Sequence, residues 1–248
     1  TITMSKDTTK DTDNPNFNSS NEANTGSKSQ DSVTFALAQS HFLVGDITAN
    51  AEKMRALALQ AREQGADVII FPELALLGYP PQDLLLRPSL SGRVKSALSS
   101  LSDIDDIVMI VGYPHVDHHG TFNSAAILHN GHQKGFYHKH ILPNYGVFDE
   151  RRYFSTGTQH VILEIKGQKV GLLICEDIWH EQPIAQLKKL GADLVVVLNA
   201  SPFETTKHDR RKALLQDQSK ANNLALAYVN AVGGQDDLVF DGGPMVFN

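Results

Sequence analysis

Residues 161–201, VILEIKGQKVGLLICEDIWHEQPIAQLKKLGADLVVVLNAS, decide the fold class. The first half of this stretch predicts two strands that turn near Gly167, and 182–190 predicts a helix that leads into a buried strand. Earlier in the chain, Asn130-Gly131 lies between two strand-like runs and is a strong signal for a second hairpin. Hairpins mixed with helical crossovers predict mixed sheets and not a purely parallel, doubly wound sheet.

The same alternation of short apolar runs and amphipathic stretches continues on both sides of this region. We predict further strands at 33–39, 67–73, 106–114, 228–234 and 244–247, and further helices at 49–65, at 83–101 with a break near Pro88, and at 208–227. Two mixed sheets that face each other, with the helices outside, would account for this order of elements. The expected fold is therefore an α/β sandwich.

The composition of the chain changes sharply near position 32. Residues 1–32 are dominated by Ser, Thr, Asn, Asp and Lys, and their apolar residues are Ile2, Met4, Phe17 and Ala23. Such a segment buries too little surface to offset its ordering entropy, so we expect a disordered tail, of which TITM is a candidate for an added segment. The folded domain is then 33–248. Because the chain stops directly after the strand-like DGGPMVFN, we expect it to be a fragment of a longer protein.

Charge and composition argue against several classes of function. The chain has 22 basic and 28 acidic side chains and a net charge of −6, without a basic run, so we expect neither nucleic acid nor a membrane as partner. No apolar run reaches the roughly 20 residues of a transmembrane helix, and without an apolar signal region we expect a cytoplasmic location. One cysteine excludes an internal disulfide and a cysteine-based zinc cluster. The clustered histidines are more typical of surface loops than of a metal site, namely His115, His118, His119, His129 and His132.

Three polar residues follow or interrupt strand-like runs and are candidates for chemistry. Glu73 ends VIIFPE, Cys175 ends the apolar run of VGLLICED, and Lys139 lies in GFYHKHILPNY. In α/β folds the ends of strands build active sites. Each residue also has a plain structural interpretation, as a buried inert thiol, a capping carboxylate or a solvated lysine. Together they form a coherent set, because a thiol needs a base such as Glu73 and a cation such as Lys139 to act as a nucleophile.

Here the sequence resembles the nitrilase-like carbon–nitrogen hydrolases, which carry a Glu-Lys-Cys triad in this order. FPELALLGYPPQDLL, KHILPNYGVFDERRYF and LLICEDIW look like the N-terminal glutaminase domain of the glutamine-dependent NAD synthetases, and the resemblance spans essentially all of 33–248. The words FPEL and ICED occur across the superfamily, whereas GYPPQDLL and LPNYGVFDERRYF are much more specific. The resemblance implies a four-layer α-β-β-α sandwich of two mixed sheets, the nitrilase fold.

The resemblance also implies roles for individual residues. Cys175 would be the nucleophile, Glu73 the general base and acid, and Lys139 the oxyanion stabiliser, while Glu150 would orient Lys139 or the substrate amide. The residues implied in substrate binding are Tyr145, Glu176 for the α-ammonium group, Trp179 as a pocket wall, Ser201, and Lys207 for the α-carboxylate. Tyr145 as a packed loop aromatic and Lys207 as a charge at a helix start remain open alternatives.

The implied reaction is hydrolysis of L-glutamine to L-glutamate and ammonia through a thioester on Cys175. In the family, the ammonia passes to a C-terminal NAD synthetase domain, which uses ATP to amidate nicotinic acid adenine dinucleotide. DGGPMVF lacks the features of a phosphate loop. The resemblance implies no cofactor in this domain, with ATP and Mg only in that further domain. A homo-oligomer is expected by resemblance. A stand-alone amidase or nitrilase and a non-catalytic module remain as alternatives.

Overall fold

A computed structural model describes residues 2–4 and 32–248 of the protein and contains two large mixed sheets. The first sheet has its strands in chain order: β1 (Ile2–Met4), β2 (Val33–Leu37), β3 (Val68–Ile70), β4 (Val108–Asp117), β5 (Gly120–His129) and β6 (His132–His138). β2, β3 and β4 are parallel to one another, whereas β1 and the pairs β4–β5 and β5–β6 are antiparallel. The hairpin predicted at Asn130-Gly131 joins β5 to β6.

Two helices connect the parallel strands of the first sheet. They are α1 (Ile47–Glu63) and α2 (Leu90–Ser102). The side chain of Asp46 begins α1, since its Oδ1 accepts a hydrogen bond of 3.1 Å from the Ala49 N–H. The break predicted near Pro88 separates α2 from a 3-10 helix at Gln82–Leu86.

The second large sheet is formed by the C-terminal half of the chain. Its helices are α3 (Glu181–Lys189) and α4 (Lys207–Asn222). The strands of this half are β7 (Ile162–Ile165), β8 (Gln168–Ile174), β9 (Leu194–Asn199), β10 (Ala225–Asn230), β11 (Val232–Gln235), β12 (Leu238–Asp241) and β13 (Met245–Phe247). The order in the sheet is β13-β10-β9-β8-β7, with β8, β9 and β10 parallel, while β11 and β12 form a separate two-stranded sheet.

The side chains form two clusters that correspond to the layers of the sandwich. One cluster contains Met54 of α1 and Leu98 of α2 together with Met109 and Val111 of β4. The other joins alternate residues of the first sheet to the second sheet and its helices, and it includes Ile110. Because side chains alternate along a strand, β4 serves both clusters. The predicted four-layer α-β-β-α sandwich is confirmed.

The boundaries of some elements differ from the sequence-based prediction. The helix predicted to reach residue 227 ends at Asn222, because Asn223 adopts the left-handed conformation with φ 46° and the chain enters β10 at Ala225. The strand predicted over 228–234 is divided between β10 and β11.

The predicted disordered tail is only partly within the described residues. Residues 1 and 5–31 lie outside them, and Ile2–Met4 pairs with β2, so the disordered tail stays a prediction. Among the helices of the described ranges, none combines the length and apolar character needed to cross a bilayer.

Candidate active site

The three residues predicted to carry chemistry lie at the ends of strands from both large sheets. Glu73 follows β3 by three residues and Lys139 directly follows β6, both in the first sheet, whereas Cys175 directly follows β8 in the second. Their exposed fractions are 1%, 0% and 4%. Charged side chains are rarely buried to this degree without partners, so the contacts that they make are informative.

Lys139 is held between two carboxylates. Its Nζ donates to Glu73 Oε1 at 2.6 Å and to Glu150 Oε1 at 2.9 Å. The hydroxyl of Tyr79 also donates to Glu150 Oε1 at 2.9 Å. Glu150 is positioned by the 3-10 helix Glu150–Arg152, which begins eleven residues after Lys139. The second glutamate implied by the resemblance therefore contacts the lysine directly.

Glu73 receives hydrogen bonds on both of its oxygens. Asn123 Nδ2 donates to Oε1 at 2.7 Å, and the backbone N–H of Ala200 donates to Oε2 at 2.8 Å. Asn123 belongs to β5 of the first sheet, whereas Ala200 follows β9 of the second. The carboxylate of Glu73 is consequently fixed by groups of both sheets, in addition to Lys139.

Cys175 begins the 3-10 helix Cys175–Trp179 with a backbone φ of 45°. A left-handed conformation is uncommon for a non-glycine residue and marks a strained turn. Burial and the neighbouring carboxylate of Glu73 raise the pKa of the Cys175 thiol well above its usual value, while Lys139 acts to lower it. The free thiol is therefore protonated at neutral pH and requires a base before it can attack a substrate.

Lys139 and Glu150 both have raised pKa values, because both are buried next to charged neighbours. Burial opposes the positive charge of Lys139, but Glu150 and Glu73 outweigh it and raise the pKa of the ammonium group. Burial raises the pKa of Glu150 to about 7, an effect that Lys139 opposes and Glu73 reinforces. Two carboxyl groups that share one cation cannot both ionise readily, so one of them holds its proton more tightly.

A chain of contacts joins three of the predicted substrate-binding residues. Tyr145 donates from its hydroxyl to Glu176 Oε2 at 2.9 Å, and its ring meets the ring of Phe148 edge-on at 5.7 Å. The Nζ of Lys207 lies 5.7 Å from the centre of the Phe148 ring and 3.0 Å from Glu204 Oε1. The acidic Glu176 and the basic Lys207 thus lie at the two ends of the ring pair Tyr145 and Phe148, which we call the aromatic bridge.

The other two predicted substrate-binding residues occupy different environments. Ser201 is buried, its N–H donates to Asn230 Oδ1 at 2.8 Å, and its carbonyl accepts from Asn230 Nδ2 at 3.2 Å. Trp179 is half-buried at the end of its 3-10 helix, and the Arg210 guanidinium lies 5.8 Å from the centre of its ring.

Several residues of the site were not identified from the sequence. They are Tyr79, Asn123, Asp177, the N–H of Ala200, Arg211 and Asn230, which contact the backbone of Ser201, and Asp241, which accepts from both of these. Tyr79 and Asp177 lie inside GYPPQDLL and ICED, two of the motifs that carry the resemblance. These motifs did not indicate what the two side chains contact. Asn123 stands in an ordinary strand sequence and gave no signal.

The described residues contain no group of three or more His, Cys, Asp or Glu side chains arranged to hold a metal ion. His115 has other contacts instead, since its Nδ1 is 2.8 Å from the Tyr113 hydroxyl and its ring stacks on Phe136. The ring of His138 stacks on Phe122. The histidines near β4 and β6 thus pack with aromatic rings.

Comparison with known proteins supplies a family. The carbon-nitrogen hydrolase family matches residues 34–248. A glutamine-dependent NAD(+) synthetase from Acinetobacter baylyi is 50% identical over 218 residues, which cover 88% of this chain and 40% of that protein. The chain therefore spans about two fifths of the length of this relative.

Solved structures show the same fold. A glutamine-dependent NAD+ synthetase from Acinetobacter baumannii, in complex with ADP, superposes with a TM-score of 0.85 at 49% identity, covering 86% of this chain and 41% of that one. A mutant amidase from Nesterenkonia sp. AN1 superposes with a TM-score of 0.78 at 29% identity, covering 86% and 81%. In that amidase the acetamide moiety of fluoroacetamide is added covalently at the active-site cysteine.

Proposed function

Since the chain belongs to the carbon-nitrogen hydrolase family, we propose that it hydrolyses L-glutamine to L-glutamate and ammonia through a thioester on Cys175. The observation that carries the proposal is the buried ion pair of Lys139 and Glu73, 2.6 Å apart, whose charges lie close enough to the strained turn of Cys175 to shift the pKa of its thiol. Covalent chemistry at the active-site cysteine of the amidase with the same fold supports the nucleophile.

The proposed reaction has two halves that use the same residues. Glu73 takes the thiol proton as the sulfur of Cys175 attacks the carboxamide carbon, and the ammonium group of Lys139 stabilises the oxyanion of the tetrahedral intermediate. The C–N bond then breaks, and Glu73 returns the proton to the leaving nitrogen, which departs as ammonia. Glu73 next takes a proton from water, whose oxygen attacks the thioester and releases glutamate with the thiol restored.

Glu150 is proposed to orient both Lys139 and the substrate amide. Its Oε1 accepts hydrogen bonds from Lys139 and Tyr79, whereas its buried Oε2 accepts none from the described residues. A buried carboxylate oxygen with free acceptor capacity is costly unless a ligand uses it. The carboxamide N–H group of the substrate would supply the missing donor.

Selectivity for glutamine is proposed to depend on the aromatic bridge between Glu176 and Lys207. Glutamine carries an ammonium and a carboxylate group at one end, and an acidic and a basic side chain complement this zwitterion. The hydrogen bond from Tyr145 fixes the orientation of the Glu176 carboxylate. Trp179 and Ser201 complete the proposed pocket as its wall and as a polar contact.

We further propose that this chain is the ammonia-supplying part of a glutamine-dependent NAD synthetase. The match to two fifths of such relatives supports this role. The partner would be a C-terminal synthetase domain that uses ATP and Mg to amidate nicotinic acid adenine dinucleotide. A homo-oligomeric state remains a prediction of the resemblance.

The proposed function predicts that ammonia release depends entirely on Cys175. In Cys175→Ala the nucleophile is absent, so the rate of ammonia release from glutamine should fall to the buffer background, and mass spectrometry should detect a glutamyl adduct only on the parent protein. Thermal unfolding of both proteins serves as the control for folding. A Cys175→Ala variant that released ammonia at the parent rate would contradict the thioester mechanism.

The second candidate function is a stand-alone amidase that acts on another small amide. The likeness to the Nesterenkonia amidase, of which the chain covers 81%, favours it. The ratio of kcat/KM for glutamine to kcat/KM for propionamide distinguishes the two. A glutaminase should prefer glutamine, because propionamide lacks both charged groups that Glu176 and Lys207 would bind. A preference for propionamide would favour the amidase instead.

A further inference from the structure

Asp177 is a fully buried carboxylate that none of the catalytic steps uses. It lies two residues after Cys175 in the same 3-10 helix, with an exposed fraction of 0%. Burying a charged group in this way costs several kcal/mol unless hydrogen bonds compensate for the lost water. The compensating bonds therefore indicate what the carboxylate achieves.

Both oxygens of Asp177 are fully engaged by donors. Oδ2 accepts from the Ile174 N–H at 3.0 Å and from the Tyr137 hydroxyl at 2.8 Å. Oδ1 accepts from the N–H groups of His140 at 3.1 Å and Ile141 at 2.9 Å. These four hydrogen bonds reach two separate segments of the chain.

The two segments are those that carry the nucleophile and the lysine. Ile174 precedes Cys175 at the end of β8, in the second sheet. Tyr137 lies two residues before Lys139 in β6, and His140 and Ile141 directly follow Lys139. A single carboxylate thus ties the backbone next to Cys175 to the chain on both sides of Lys139, across the interface of the two sheets.

We propose that Asp177 is a positioning residue that holds the strained turn of Cys175 against Lys139 by joining the ends of the two sheets. Only a carboxylate satisfies this arrangement, because all four partners act as donors. In Asp177→Asn the amide NH₂ group would face N–H or O–H donors, and at least one backbone N–H would lose its acceptor. This inference rests on the glutaminase function proposed above.

The test compares Asp177→Asn with the parent chain in two assays. In the first, kcat and KM for glutamine are measured, and kcat should fall about 10- to 100-fold, since small displacements of reacting groups cost this much, while KM changes less than about twofold. In the second, the rate of Cys175 alkylation by iodoacetamide is followed from about pH 6 to pH 10. The rate should be lower in Asp177→Asn than in the parent across this range. If Asp177 had only a structural role, the folded fraction of Asp177→Asn would keep the parent kcat and the parent alkylation rate.

Asp67→Asn is the matched control. Asp67 also accepts a backbone hydrogen bond between strands, from the Thr34 N–H at 2.9 Å, but it precedes β3 at the end opposite to Glu73. In Asp67→Asn the amide oxygen can keep the bond from Thr34, while the ion pair of Asp67 Oδ1 with Lys166 Nζ at 2.7 Å is lost. This carboxylate-to-amide change away from the site should keep the parent kcat and alkylation profile. Equal losses in Asp67→Asn and Asp177→Asn would overturn the positioning role, since they would show a general loss of stability.

The outcomes separate failure of this inference from failure of the proposed function. A parent chain without activity on glutamine would contradict the function, while the alkylation assay, which needs no glutamine, would still test Asp177. Parent values of kcat and alkylation rate in Asp177→Asn would overturn the inference alone. If Asp177→Asn does not fold, Tyr137→Phe removes one of the four bonds: a several-fold slower alkylation supports the positioning role, and an unchanged rate overturns it.

Discussion

Lys139 brings one positive charge into contact with two carboxyl groups. Its ammonium group is shared by the carboxyl groups of Glu73 and Glu150, and all three side chains are buried. Burial raises the pKa of Glu150 to about 7, whereas the carboxylate of Glu73 is supported by hydrogen bonds from Asn123 and from a backbone N–H. The hydrogen bonds that Glu73 accepts therefore favour it as the general base, whereas Glu150 is the carboxyl group with the raised pKa.

Glu150→Gln tests this distribution of charge through the pH dependence of stability. The pKa of Glu150 rises from 4.5 to about 7 on folding, so its proton contributes stability that is fully present below 4.5 and is lost as the pH rises through 7. A glutamine cannot ionise and escapes this loss. The free energy of unfolding of Glu150→Gln, relative to the parent, should therefore increase between about pH 5 and pH 8.

Urea denaturation at several pH values measures this difference. Glu164→Gln on the exposed face of β7 is the control, because it removes a carboxylate in contact with solvent. A difference between Glu150→Gln and the parent that stays constant with pH would contradict a raised pKa of Glu150.

The candidate residues of the site could be identified from the sequence only where residue type and position coincide. Glu73, Lys139 and Cys175 stand at strand ends in distinctive words, and the structure brings Glu73 and Lys139 into contact. Asn123 could not be predicted, because its role depends on β5 lying beside the chain that follows β3. The Ala200 N–H carries no side-chain signal at all, and backbone donors become visible only when the two sheets are brought together.

At the scale of elements, close backbone approach fixes the segment that carries Glu73. A Cβ atom at Gly112 of β4 would lie 2.2 Å from the Pro72 carbonyl oxygen and 2.5 Å from the Leu74 nitrogen. These atoms flank Glu73. The neighbouring strand can therefore pack against the segment of Glu73 only because position 112 has no side chain.

Gly112→Ala should accordingly displace Glu73. We expect a loss of about 1–3 kcal/mol in the free energy of unfolding, as for overpacked cores, together with a lower kcat for glutamine. Gly135→Ala in β6 is the matched control, because its Cβ atom would meet nothing nearer than 3.7 Å. Chemical denaturation and ammonia release measure both effects. Indistinguishable values for the two variants would show that the approach at Gly112 does not position Glu73.

The elements themselves were largely predictable, and the exceptions have local physical causes. Apolar periodicity identified α1, and the Asn130-Gly131 turn identified the β5–β6 hairpin. The end of α4 was placed too late, because a polar Asn223 in the left-handed conformation ends the helix without the usual glycine. The β11–β12 pair was not predicted, since the glycine-rich strand VGGQ has little apolar alternation.

At the scale of the molecule, the site depends on the packing of one sheet on the other. Glu73 and Lys139 follow strands of the first sheet, and Cys175 follows a strand of the second. One continuous apolar cluster fills the space between the two sheets. The distance between Cys175, the proposed nucleophile, and its proposed partners is therefore set by the side chains between the sheets. A cavity in this layer should act on catalysis as well as on stability.

Ile110→Ala and Met54→Ala distinguish these two effects. Both side chains have an exposed fraction of 0%, but Ile110 lies in the cluster that joins the sheets, and Met54 lies in the cluster between α1 and the first sheet. Each truncation should cost about 2–5 kcal/mol in the free energy of unfolding. Only Ile110→Ala removes support between the sheets that carry the reacting groups, so its kcat should fall several-fold more than that of Met54→Ala.

The comparison requires both variants to be folded, which chemical denaturation at 25 °C establishes before kcat is measured. The slope of alkylation rate against pH gives a second measure of the surroundings of Cys175, independent of glutamine. Because the two variants lose similar stability, a difference in kcat reports the spacing of the sheets and not a general weakening. Equal kcat values at equal loss of stability would mean that the hydrogen bonds at the strand ends, and not the apolar layer, hold the thiol in place.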